Sequence, residues 1–231
     1  SGAKELWRGP WAGISRTNWI LTNIDKSPKI SDAKKTQYKG EAHFLRGLYY
    51  FNLVRLFGDV PWIDKQQTAS DDLQVSRTSK DIVYQHIIDD FSDAASMLPA
   101  VYENTTDIGR ATKGAAFGLL AKVYLTLKRY NETLVAIDSV TNLGVYSLNR
   151  KYEWNFSDLR ENGPESLFEA QYEKDVTAYS EFDILGQGGW HHEYMAPLAS
   201  INIGGPWGNF GWFAVYPEFV ESYEPGDLRK S

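Results

Sequence analysis

The sequence predicts a mainly α-helical protein of tetratricopeptide-like helical hairpins with a loop-rich second half. Three observations carry this. Apolar residues recur at spacings of 3 and 4 through most of residues 1–142, and one segment repeats at an offset of 74 residues. After Asn142 that periodicity fades and glycine becomes dense: 9 of the 19 glycines fall in the first 142 residues and 10 in the remaining 89. Two regions follow from this, 1–142 helical and 143–231 rich in loops and aromatics and packed on the helices, together one domain.

The first helix is expected from about Lys4 to Asp25, with Leu6, Trp11, Ile14, Trp19 and Leu21 as its apolar stripe. Pro28 breaks the chain, and Ser31 is placed to cap a second helix running to Phe57. That helix carries Phe44, Leu45, Leu48, Tyr49, Phe51 and Leu53 on nearly every face, so it should lie between neighbours rather than on a surface. Gly58-Asp59-Val60-Pro61 stops it. A polar stretch, 64–77, leads to a third helix capped by Ser79 and ended by Pro99, with Val83, Ile87, Phe91, Ala94 and Leu98 along one face. Thr112 should cap a fourth helix to Leu127, and a fifth should run from about Asn131 to Asn142, stopped by Gly144.

The repeat pairs Lys39-Gly40-Glu41-Ala42-His43-Phe44-Leu45 with Lys113-Gly114-Ala115-Ala116-Phe117-Gly118-Leu119, and then Tyr50 with Tyr124. The offset equals about two hairpins of the tetratricopeptide type. Ala42, Ala116 and Ala121 would let helices approach closely. Beyond residue 143, Ser166 to Tyr172 alternates enough to suggest a short strand.

Composition excludes several classes of function. The chain of 231 residues is 42% hydrophobic and 23% charged, as in an ordinary globular protein. No apolar run approaches the roughly 20 residues of a membrane-spanning helix. A net charge of −6 argues against nucleic acid, which needs clustered Lys and Arg. The absence of cysteine excludes disulfides, thiol catalysis and Cys-ligated metals.

Catalytic and metal signals are weak. His191-His192-Glu193 sets three possible ligands in a row, but adjacent side chains diverge and no His-Glu-x-x-His follows. No Gly-x-Ser-x-Gly elbow occurs, and Gly186-Gln187-Gly188-Gly189 lacks the lysine of a phosphate loop. Glu181, Asp183 and Glu193 are the carboxylates to test for glycosidase chemistry, which needs a spaced pair. The expectation is no metal, no cofactor and no enzyme.

Aromatic residues make up 14% of the chain and concentrate late. Residues 186–216 hold seven glycines and seven aromatics with one charged side chain, Glu193. So long a stretch without periodicity is usually functional or disordered, and disordered segments are poor in aromatics. Flat rings stack on the apolar faces of sugars while amides, hydroxyls and imidazoles bond sugar hydroxyls. Trp190, His192, Tyr194, Trp207, Asn209, Phe210 and Trp212 supply that inventory. Each ring could instead pack beneath the loop. Trp7, Trp11 and Trp19 read as core, Trp62 as either core or contact, and Glu41, Arg46, Arg55 and Arg110 as structural ion pairs or caps.

Several blocks together resemble the SusD/RagB family of surface glycan-binding lipoproteins of Bacteroidetes. They are Gly40-Glu41-Ala42-His43-Phe44-Leu45-Arg46-Gly47, Phe57-Gly58-Asp59-Val60-Pro61, Gly109-Arg110-Ala111-Thr112, Leu120 to Leu125, Glu165 to Tyr172 and Glu224 to Arg229. The resemblance implies a SusD-like α-α superhelix of four hairpins with a loop-rich half. It also implies an oligosaccharide or polysaccharide ligand and a TonB-dependent outer-membrane transporter as partner, with no reaction catalysed. Family chains are longer and carry a lipid anchor on an N-terminal cysteine. The expectation is therefore a fragment of a surface-exposed outer-membrane lipoprotein whose membrane contact is that anchor. Ligand contacts vary within the family, so the aromatic residues above rest on chemistry alone. The alternative is a helical-repeat scaffold that binds protein and has no affinity for glycans.

Overall fold

The structure, a computed structural model, describes residues 2–68, 70–71, 74–156, 160–171, 221–222 and 224–225. The chain divides into two units, residues 1–170 and 171–231, and the five helices named below lie in the first. They are α1 (Gly2–Asn23), α2 (Asp32–Phe57), α3 (Lys80–Met97), α4 (Lys113–Thr126) and α5 (Tyr130–Thr141). Short 3-10 turns span Ile24–Lys26, Thr105–Asp107 and Tyr152–Phe156. No helix among the described residues is long and apolar enough to cross a membrane.

Neighbours in sequence pack as neighbours in space: α1 on α2, α2 on α3, α3 on α4 and α4 on α5. The α2 helix lies between α1 and α3, as its all-round apolar surface demands. Its Phe44, Tyr50, Phe51 and Leu53 are at most 1% exposed and meet Ile14 of α1 and Val83, Ile87 and Phe91 of α3. Truncating a ring such as Phe44 or Phe91 would cost about 3–5 kcal/mol by cavity formation.

The 74-residue repeat corresponds to two like hairpins, α2–α3 and α4–α5. A Cβ on Gly40 would lie 2.9 Å from Met97 Cβ at the far end of α3. A Cβ on Gly114 would collide with the Tyr146 ring, just beyond α5. In both hairpins the first helix needs a bare backbone where the chain leaving the second passes over it.

Local chemistry sets the helix ends. The Ser31 hydroxyl accepts from Lys34 N (3.4 Å) and Thr112 Oγ1 from Ala115 N (3.1 Å), satisfying amides at the starts of α2 and α4. Gly58 and Gly144 take φ of +69° and +66°, turning the chain out of α2 and after α5. The α3 start departs from expectation. Ser79 occupies the cap position but makes no side-chain cap bond. Asp59 Oδ1, from the turn after α2, accepts from Lys80 N at 2.8 Å instead. Thr78 N donates to Val60 O at 2.9 Å beside it, closing an isolated bridge between Val60 and Thr78.

Two expectations need correction. Residues 166–171 form no strand, because no described segment pairs with their backbone; Phe168 meets Phe44 edge-on at 4.9 Å instead. On α1, Trp19 and Leu6 are 56% and 54% exposed. The buried face runs through Ile14, Thr17 and Asn18, with Trp7 and Trp11 packed partly against the core. At about 100° per residue, Trp19 stands roughly 120° round the helix from Trp7, too far to reach α2.

A buried polar centre sits among these helices. Arg46 on α2 grips Asp90 on α3 through both oxygens, Nε to Oδ2 at 2.9 Å and Nη2 to Oδ1 at 2.7 Å. Its Nη1 donates to Asn18 Oδ1 on α1 (2.9 Å) and Asp64 O (3.1 Å). His43 Nδ1 lies 2.7 Å from Asp90 Oδ1. Asn18 Nδ2 donates to Ile63 O at 2.8 Å, and the Tyr50 hydroxyl accepts from Ile63 N at 2.7 Å. Burial, the largest influence, drives the Tyr50 phenol well above its ordinary range against the lowering effect of the Ile63 bond. A second network joins Glu41 to Arg110, which also pairs with Asp107 at 2.9 Å. Tyr102 donates to Ala111 O at 2.8 Å, and its phenol too is raised, by burial first and then by Glu41. Arg55 forms no ion pair among the described residues; it bonds Asn52 Oδ1 and Phe51 O.

Two predictions follow from these networks. Asp90→Ala leaves Arg46 buried without its anion and should lower the unfolding free energy by about 3–5 kcal/mol in a urea titration. Asp89→Ala, one position along on the exposed face, should change it by less than about 0.5 kcal/mol. Both phenols hold their protons more tightly when folded than unfolded. Their contribution is complete below the free tyrosine value of about 10 and is lost as pH rises above it. Urea midpoints should therefore fall above about pH 10, and fall less for Tyr50→Phe and Tyr102→Phe.

Candidate functional site

The residues after α2 form a wall beside the helices. Pro61 follows the buried Val60, and Trp62 is partly buried and packed against the core. One face stacks on His86 of α3 (4.4 Å, 12° between planes) and another contact runs to Tyr50 (4.2 Å, 37°). The Arg46 guanidinium carbon lies 5.4 Å from the Trp62 ring centre. With these three neighbours, Trp62 acts as core. The wall continues through Ile63, fixed by Tyr50 and Asn18, to Gln66, whose Oε1 accepts from Asn23 Nδ2 at 2.7 Å.

Three clefts open among the described residues. One of about 250 Å³ lies between α1 and this wall, lined by Trp11, Ile14, Ser15, Ile63, Lys65 and Gln67, with Asn18 at its base. A second, also about 250 Å³, lies between the chain entering α4 and residues 162–169, with Tyr102, Ile108, Arg110, Tyr146, Leu167 and Phe168 around it. Its polar groups already have partners: Tyr102 bonds Ala111 O, Tyr146 and Thr112 share a 2.8 Å hydrogen bond, and Arg110 pairs with Glu41 and Asp107. The third, about 270 Å³, is a largely apolar crevice between α4 and α5 along Phe117, Leu120, Tyr124 and Val135.

The aromatic loop expected to bind ligand lies outside the described residues: Trp190, His192, Tyr194, Trp207, Asn209, Phe210 and Trp212. His191, Glu181, Asp183 and Glu193 lie outside them as well. Of the remaining histidines, His43 is held by Asp90 and His86 by Trp62. No group of three His, Asp or Glu side chains is placed for a metal ion among the described residues. The motif residues serve structure, as expected for Glu41, Arg46 and Arg110. In Gly-Arg-Ala-Thr, Gly109 takes φ +90°, Arg110 pairs with Glu41, Ala111 is buried and Thr112 caps α4. The cleft beside α1 leaves no signal in the sequence, since Ser15 and Gln67 stand 52 positions apart with no spacing to link them. The angle of Trp19 around α1 was the one legible hint of an exposed ring there.

Comparison with known proteins agrees with this architecture. Residues 2–125 match the SusD-like_3 family, described as starch-binding associating with outer membrane. SusD-like protein P25 of Formosa agariphila is 25% identical over 203 residues, covering 84% of this chain and 38% of its own length. A SusD superfamily protein from Parabacteroides distasonis superposes with a TM-score of 0.84 at 29% identity, over 99% of this chain and 48% of that one. A laminarin-binding SusD-like protein gives 0.63 at 28% identity, over 68% of this chain and 36% of its own. The chain thus spans less than half the length of each of these proteins. With more than half of its residues matched to the family profile, and with the helical stack of its solved members, the chain belongs to the SusD-like family.

Proposed function

We propose that this chain is part of a non-catalytic glycan-binding protein of the outer membrane. It holds an oligosaccharide or polysaccharide at the cell surface and passes it to a TonB-dependent transporter. Membership of a family described as starch-binding and associated with the outer membrane carries this reading. The laminarin-binding neighbour supports it. A lipid anchor on the whole protein provides the membrane contact. Residues 1–142 act as the scaffold and 143–231 as the glycan-facing region.

The binding residues in this reading are Trp190, His192, Tyr194, Trp207, Asn209, Phe210 and Trp212. Their rings stack on sugar faces, and the Asn209 amide and His192 imidazole bond hydroxyls. Such surface sites bind single sugars weakly, because ordering and desolvation offset much of the contact energy. A polymer that engages several sites gains avidity.

Native affinity gels containing soluble polysaccharides test this. The chain should be retarded by at least one polymer, starch and laminarin among the panel, and Trp207→Ala or Trp212→Ala should abolish the retardation. Retardation that survives both changes would keep the function and move the site. A folded chain retarded by nothing, and destabilised by the same changes, would favour a protein-binding scaffold.

A further inference from the structure

The cleft between α1 and the wall at 61–67 differs from the cleft beside α4 in the state of its polar groups. The Trp11 indole N–H, the Ser15 hydroxyl and the Gln67 amide have no hydrogen-bond partner among the described residues. All three border one cavity of about 250 Å³ whose lining also includes the apolar Ile14 and Ile63. Lys65, the cation on its rim, is already 3.7 Å from Asp71. Asn18 contributes nothing more, since it is bonded to Arg46 and Ile63.

These features select a class of ligand. Unpaired N–H and O–H donors beside an amide call for a ligand that both accepts and donates hydrogen bonds. Ile14, Ile63 and the part of the Trp11 ring not taken up by its edge contacts with Trp7 (5.3 Å) and Tyr50 (6.0 Å) call for one with an apolar face. With its cation already paired, the rim does not favour an anion. The volume falls below the ~300 Å³ lower end of sites for drug-sized ligands, so it admits one ring rather than a chain. A pyranose meets all four conditions. One helical turn beyond Ser15, at about 6 Å, stands Trp19, 56% exposed and in ring contact with no other residue among those described.

We propose that the cleft between α1 and residues 61–67 is a second saccharide subsite, separate in sequence from the aromatic loop. It takes one sugar ring against Trp11, Ser15 and Gln67, and Trp19 stacks on the next ring of the same glycan. The inference rests on the glycan-binding reading above and adds a site to it. Two subsites on one chain would let a polymer bridge them.

The test follows the indole N–H signals of the 8 tryptophans in the full chain by NMR during titration with laminaritriose and maltotriose. Either sugar should move the Trp11 and Trp19 signals saturably. Gln67→Ala and Trp19→Ala should each raise Kd read at the Trp11 signal by about tenfold, as expected for one lost hydrogen bond or stacking contact. Both variants should unfold at the wild-type urea midpoint, which separates a lost contact from a lost fold. Shifts confined to other tryptophans, or Trp11 shifts indifferent to both substitutions, overturn the subsite and leave the glycan reading standing. No shift at any tryptophan overturns the subsite alone if the gels retard the protein. If the gels retard nothing, the same result overturns both.

Discussion

The two-oxygen grip of Arg46 on Asp90 is the interaction on which the rest of the helical stack depends. A guanidinium buried between three helices is costly unless every donor finds a partner. Its donors reach α3, α1 and the chain after α2. A planar fork fixes direction as well as distance. The pair thus sets the register of α2 on α3, while Asn18 and Tyr50 extend the same network to Ile63. Apolar packing supplies most of the stabilisation here, but it is indifferent to small sliding; the polar centre is not.

The second constraint is steric. Gly40 and Gly114 mark equivalent places in two hairpins, each where the chain leaving the second helix crosses the first. Packing this close leaves little tolerance for added side-chain volume at either place. The likeness between hairpins therefore lies in side chains from the end of the second helix or just beyond it seated on the bare backbone of the first. The side chains around the two glycines differ: methionine and leucine at one, a tyrosine ring at the other.

Most of the helical architecture was legible in the sequence because spacing and capping residues are local signals. Ser31 and Thr112 cap as their positions suggest, and Gly58 turns the chain at the place its motif indicates. The failures share a cause. Asp59 takes over the role expected of Ser79 because the bridge at Val60 and Thr78 brings together residues far apart in sequence. Spacing alone places Trp19 in the core, although its angle around α1 carries it off the buried face. Trp62 could be resolved only by its neighbours, His86 and Tyr50, which no spacing rule predicts. The candidate cleft joins residues of α1 to residues of the 61–67 wall, and sequence separation hid that meeting. For the aromatic loop, residue chemistry remains the whole argument.

The Val60–Thr78 bridge has a consequence for how such a protein can diversify. With its ends pinned beside Asp59 and Lys80, the intervening stretch is a closed excursion from the helical frame. Lengthening a closed loop costs little, only about 0.6 kcal/mol for each doubling. Insertions there would leave the start of α3 and the end of α2 where they are. The wall that includes Ile63, Lys65 and Gln67 is drawn from this excursion, so its chemistry can drift while the frame stays fixed. A scaffold with one edge open to revision in this way can acquire new ligands by changing loop length alone.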